Sequence, residues 1–135
     1  KMNASITHIQ INVSDFEKSK KFYSEMFKIL GWKKFIEGDK VIRWINGDFS
    51  CWIVQTDIRF KKNKFHRKNT GLNHIAFKVN SKNEVDEFFS KFLLNKKEGV
   101  LYNSPRKYPE YGENYYAVFF EDPNRIKLEI MTGGI

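Results

Sequence analysis

"GLNHIAFKV" occupies residues 71–79, and "ITHIQINV" occupies residues 6–13. In each, a histidine opens a run in which bulky apolar residues take every second place: Ile75, Phe77 and Val79 after His74, and Ile9, Ile11 and Val13 after His8. Side chains of a β-strand point alternately to opposite faces, so this alternation reads as a strand with one buried face and one polar face. His74, Ala76 and Lys78 share the polar face of one strand, and His8, Gln10 and Asn12 that of the other. One such histidine would carry little weight. Two, at the same point of the same pattern, imply that the chain states one motif twice.

The surroundings repeat as well. After the first strand, Ser14 and Glu17 have the spacing of a capping box, and Phe16, Tyr23, Met26, Phe27 and Leu30 recur at helical intervals before Gly31. After the second strand, Ser81 and Glu84 restate the box, Val85, Phe88, Phe89 and Phe92 form the stripe, and Gly99 follows. Each helix precedes three short strand-like runs. In the first half these are about 33–37, 40–45 and 49–55, broken at "EGD" and "NGD". In the second half they are about 99–103, 115–121 and 126–131, broken at "SPRKYPEYGEN" and "DPNR". The order is β-α-β-β-β, twice. This predicts an α+β fold of two βαβββ modules, with a parallel crossover over each helix and antiparallel hairpins after it. The modules fall at about 5–56 and 71–132, joined by a basic stretch at about 57–70, within a single domain over 2–135.

The last strand-like run alternates too, Ile126, Leu128 and Ile130 against Lys127, Glu129 and Met131. Two histidines and a glutamate therefore lie on polar strand faces. If the two sheets curl toward each other into a partly open cleft, imidazole nitrogen and carboxylate oxygen converge there. That chemistry suits one divalent ion (Mn, Fe, Ni, Co or Zn) with positions left for substrate.

Composition narrows the classes further. With 41% hydrophobic and 16% aromatic residues the chain can bury a real core. The lone Cys51 rules out an internal disulfide framework and a cysteine-based zinc site, which fits a reducing cytoplasm. No apolar run is long enough to span a bilayer as a helix, and a cytoplasmic protein without membrane contact is expected. The formal charge of +8 concentrates at Arg59, Lys61, Lys62, Lys64, Arg67 and Lys68, with Phe60 and Phe65 interleaved. No nucleic-acid-binding motif accompanies that cluster, so it reads as a solvated connection, whose field would also favour an anionic small-molecule substrate.

"THIQINVSDFEKSKKFYSEMF", "GLNHIAFKV" and "YAVFFEDPNRIKLEI" resemble the vicinal oxygen chelate superfamily, which includes glyoxalase I, bleomycin resistance proteins, fosfomycin resistance enzymes, extradiol dioxygenases and methylmalonyl-CoA epimerase. The resemblance spans essentially the whole chain and implies the same glyoxalase-like pair of βαβββ modules. Carried over by position, it implies His8, His74 and Glu129 as metal ligands, with Gln55 as a fourth and Glu129 as a catalytic base as well. It implies a metal-dependent lyase, isomerase or epimerase stabilising an enediolate or oxyanion, and a homodimer. The alternatives are a non-catalytic ligand-binding protein like the bleomycin resistance proteins, which would use Tyr108, Tyr111, Tyr115 and Tyr116 as stacking surfaces, and a fosfomycin-type thiol transferase or a dioxygenase. Two departures stand out: only Glu129 matches where glyoxalase I usually brings two glutamates, and Arg125 ends the Asp-Pro turn where glycine is common.

Overall fold

Strand β1 (His8–Val13) enters helix α1 (Phe16–Ile29), which leads through β2 (Lys33–Glu37), β3 (Val41–Asn46) and β4 (Phe49–Gln55). The pattern repeats as β5 (His74–Lys78), α2 (Lys82–Phe88), β6 (Val100–Lys107), β7 (Tyr116–Glu121) and β8 (Lys127–Thr132). The computed structural model describes residues 1–134. Its two four-stranded sheets run β1-β4-β3-β2 and β5-β8-β7-β6. In each, the first and last strands pair in parallel and the hairpins are antiparallel. The fold is α+β, built from two βαβββ modules. The chain divides into two compact units, one over 1–64 and one from Phe65 onward, so the boundary falls inside the basic stretch. Among the described residues no helix is long and apolar enough to cross a membrane.

In the first unit, Asp15 rather than Ser14 caps α1: its carboxylate accepts from Lys18 N–H at 3.2 Å. An Asp15 N-cap thus stands in place of the capping box expected at Ser14 and Glu17, because the Asp15 carboxylate reaches a free amide of the first turn. The helix ends as Gly31 predicts. Gly31 takes φ +79°, its N–H reaches Lys28, and Trp32 N–H reaches back to Phe27 at 2.9 Å. The Trp32 ring then packs on Phe27, closing the helix end with an apolar contact. Tyr23, Met26 and Phe27 of α1 are buried with Ile11, Val13, Ile42, Trp44 and Ile53 of the sheet.

The second unit follows the same plan. Ser81 caps α2, accepting from Glu84 N–H at 3.2 Å, while the Glu84 carboxylate accepts from Asn80 N–H at 2.6 Å. Past Phe88 the helix widens into a π turn over Phe89–Leu93, which brings Phe92 and Leu93 inward together. They join Val85, Phe88, Val118, Phe120, Leu128 and Ile130 as the buried layer on the helix side of the sheet. The other face carries a smaller apolar cluster of Tyr108, Ala117, Phe119 and Met131.

Strand β6 extends well beyond Asn103. Its register with β7 shifts between Leu101 and Arg106, and Tyr102 and Asn103 both take left-handed backbone, φ +61° and +52°. Ser104 holds this bulge: its hydroxyl donates to the Leu101 carbonyl at 2.7 Å and accepts from Phe119 N–H at 2.9 Å.

Candidate functional site

Pairing of β5 with β8 sets His74 opposite Lys127 and Ala76 opposite Glu129. All four lie on the face turned away from α2, where the alternation of the sequence puts them. His74 Nε2 stands 3.3 Å from Glu129 Oε1. On its other side, His74 Nδ1 is 2.6 Å from Asn73 Oδ1. The amide oxygen can only accept, so Nδ1 carries the proton. A neutral ring then turns the Nε2 lone pair toward a carboxylate oxygen. Two lone pairs facing each other at that distance call for a positive charge between or beside them, either a proton or a metal ion.

Glu129 is only 2% exposed, because β8 is flanked by β5 and β7. A buried carboxylate needs partners. The Tyr115 hydroxyl provides one by donating a short hydrogen bond to Oε2. Burial, and then Glu129 itself, push the Tyr115 phenol well above its ordinary range, so it stays a donor. Tyr115 is braced edge-on by Tyr108 and Tyr111, whose rings stack at 5.4 Å, and its carbonyl accepts from Tyr108 N–H. The second carboxylate of this face, Glu121, is held by Arg67 at 2.6 Å and Arg125 at 3.2 Å.

In the first unit, His8 is exposed at the start of β1, opposite Ser50. Its face also holds Trp52 and Arg43, the guanidinium lying over the rings of Phe35 and Trp52. Gln55 departs from expectation. It pairs with Val13, on the helix side, and its side chain accepts from Phe16 N–H and donates to the Ser14 carbonyl, each at 3.0 Å. Strand parity explains the difference: position 55 belongs to the face opposite His8, and the start of α1 offers free polar groups there. Cys51 is buried, and burial pushes its thiol up to about 12, which removes it as a nucleophile.

Periodicity placed His74 and Glu129 on one face. It gave no sign that Tyr115, considered in the sequence only as a stacking surface, would bind Glu129. That contact depends on the path of the loop entering β7.

The sequence profile of the Glyoxalase/Bleomycin resistance protein/Dioxygenase superfamily matches residues 5–130. The chain belongs to this superfamily. A metallothiol transferase FosB of Lysinibacillus sphaericus is 32% identical over 96% of this chain and 82% of its own. The uncharacterised protein YqjT of Bacillus subtilis is 40% identical over 93% of this chain and 96% of its own. Among solved structures, that of a candidate glyoxalase from Bacillus halodurans superposes with a TM-score of 0.86 at 38% identity, covering 95% of both chains.

For a member of this superfamily, the fit of a metal can be tested on the His74–Glu129 pair. With metal–ligand bonds of ~2.0–2.2 Å, neighbouring donors of a tetrahedral or octahedral shell lie ~2.9–3.5 Å apart. The 3.3 Å between Nε2 and Oε1 falls in that range. Asn73 orients the imidazole and Tyr115 occupies the other carboxylate oxygen, the outer partners that metal ligands commonly have. The pair therefore fits a divalent ion. Among the described residues, no group of three His, Cys, Asp or Glu side chains forms a ready-made cluster.

Proposed function

We propose that this protein is a metal-dependent enzyme that binds a small oxygen-bearing substrate at an ion held by His74 and Glu129. The observation that carries this reading is the opposed Nε2 and Oε1 pair, each donor oriented by its own partner. When bound, a divalent ion supplies positive charge to a substrate oxygen on which negative charge develops. The protein's share is geometric. Asn73 fixes the imidazole so that Nε2 is the free nitrogen, and Tyr115 ties down Oε2 so that Oε1 is the free oxygen.

Within this class, thiol transfer is better supported than lyase, isomerase or epimerase chemistry. Those reactions need a carboxylate free to take a proton from carbon. Both carboxylates of this face are committed, Glu129 to the ion through Oε1 with Tyr115 on Oε2, and Glu121 to two arginines. Thiol transfer brings its own acid. The thiol sulfur bonds to an electrophilic carbon, the carbon–oxygen bond breaks with its electron pair on oxygen, and the thiol proton ends on that oxygen. The relative described as a metallothiol transferase favours the same class. Because Cys51 is buried, the thiol comes from a second substrate.

The test is metal content after chelation and reloading with Mn, Fe, Co, Ni or Zn, followed by thiol consumption with a panel of small epoxides. One tightly held ion per chain is expected in the wild type and none in H74A or E129A. Folded wild type that holds no ion would overturn the metal reading in favour of a non-catalytic ligand-binding protein.

A further inference from the structure

Strands β7 and β8 pair Tyr116 with Thr132, Ala117 with Met131 and Phe119 with Glu129. Continued by one step, this register sets Tyr115 opposite Gly133. The face that carries Glu129 therefore runs from Phe119 and Glu129, through Ala117 and Met131, to Tyr115 and Gly133. Strand side chains ordinarily stand perpendicular to their sheet. The Tyr115 hydroxyl nevertheless donates to Glu129 Oε2, two same-face positions away. A phenol that reaches so far lies along the sheet, and its ring packs on the cluster that contains Ala117 and Met131.

The backbone supplies that tilt. Asn114 turns the chain with left-handed φ +62°, the Tyr115 N–H donates to the Gly112 carbonyl at 3.2 Å, and the Tyr115 carbonyl accepts from Tyr108 N–H at 2.9 Å. These bonds hold the loop to itself, whereas Gly133 sets how closely it approaches the end of β8. A β-carbon on Gly133 would stand 2.5 Å from the Asn114 carbonyl oxygen and 2.8 Å from the Tyr115 α-carbon, and the φ of +105° there already favours glycine. A β-carbon on Gly112 would in turn meet the Gly134 carbonyl oxygen at 2.5 Å. The loop before β7 and the residues after β8 thus interlock, backbone against backbone, at two glycines.

We propose that this interlock positions the candidate metal centre, with Gly133 and Gly112 as positioning residues that act through Tyr115. The close approach they permit lays the Tyr115 phenol along the face, so that it takes Oε2 of Glu129 and leaves Oε1 beside His74 Nε2. A side chain at either glycine lifts the Asn114–Tyr115 backbone off β8, and the phenol withdraws with it. Glu129 then loses the partner that fixes which oxygen it presents. The effect on the ion rests on the function proposed above, whereas the seating of Tyr115 needs no metal.

The experiment has two arms. Crystal structures of metal-free wild type, G133A and G112A compare the Tyr115 hydroxyl: it should rest on Glu129 in the wild type and stand beyond hydrogen-bonding distance in both variants. Mn titrations of wild type, G133A, Y115F and G133A/Y115F then form a double-mutant cycle. G133A and Y115F should each bind Mn about tenfold more weakly than the wild type, the usual size of a lost outer partner, and the double variant no more weakly than Y115F. A general loss of packing would instead lower affinity by the same factor in both backgrounds, and that result would overturn the positioning role. Tyr115 still bonded to Glu129 in G133A would overturn it too, and G112A decides the same question if G133A does not fold. A wild type that binds no Mn defeats the metal reading alone, since the crystal comparison still decides how Tyr115 is seated.

Discussion

Gln55 ties the end of β4 to the start of α1, serving the Phe16 N–H and the Ser14 carbonyl with one amide. Truncation removes the Gln55 bonds to both groups in a half-buried place. Q55A is therefore expected to lose about 1–2 kcal/mol of stability in urea unfolding while binding Mn as tightly as the wild type. A loss of metal affinity like that of H74A would instead return Gln55 to the ligand set. The sequence offered position 55 as a polar residue near the right strand end. Only the pairing of Gln55 with Val13 reveals the face, because a one-residue slip inverts every side chain. Cys51, on the same buried side, makes a prediction of the opposite kind. Its folded pKa is raised to about 12 against an ordinary value of 9.0. Between these limits the unfolded chain releases a proton that the native chain keeps, so the unfolded state binds fewer protons and stability falls as pH rises. One such group contributes a slope of about 1.4 kcal/mol per pH unit above its unfolded pKa. C51A should therefore lose stability less steeply than the wild type between pH 9 and 10, read from urea midpoints. Identical slopes would contradict the burial argument.

At the level of elements, the turn from β7 to β8 shows what short signals can and cannot encode. Asp122 is buried, and its carboxylate accepts from Asn124 N–H and Ile126 N–H, each at 2.8 Å, which explains why an Asp-Pro pair was a sound turn signal. Arg125 then takes φ +66°, the conformation that a glycine would have filled without strain. Its guanidinium does not stand free but pairs with Glu121, a partner fixed by the strand pairing and so invisible in the turn itself. Left-handed backbone costs a non-glycine residue about 1–2 kcal/mol. The exposed ion pair returns roughly 0–1 kcal/mol. R125G should thus be stabilised by about 1 kcal/mol, seen as a higher urea midpoint at unchanged slope. A lower midpoint would mean that the Glu121 contact outweighs the strain. Strand β6 was the least legible element for a related reason. Left-handed Tyr102 and Asn103 carry no glycine to announce the bulge, and Ser104 supplies the missing bonds from its side chain. The helices were easier, since their apolar stripes follow from 3.6-residue geometry, and the capping residue of α1 moved by only one place.

Over the whole chain, the doubled βαβββ order was legible because each half carries its own alternating strands, its own stripe and its own buried layer. The distribution of charge was legible in part: Lys61, Lys62 and Lys64 are exposed, as a solvated connection requires, whereas Arg67 of the same cluster is half-buried and pairs with Glu121. What the alternation could not contain is which polar residues are spare. Glu121 and Glu129 both lie on the polar face, yet one is bound by arginines and the other faces His74. This difference leads to a prediction about the stability of the protein as a whole. An ion that binds only the folded chain stabilises it by mass action, by about 2.7 kcal/mol at a free concentration one hundred times its dissociation constant. The wild type should show that increment in urea unfolding with Mn added after chelation, and H74A and E129A should show none. Each variant is compared with itself, with and without Mn, so any intrinsic loss from removing buried Glu129 cancels. Replacing Lys61, Lys62 and Lys64 with glutamine lowers the formal charge of +8 by three and should leave the increment intact. An increment that survives in E129A would place the ion away from His74 and refute the proposed centre.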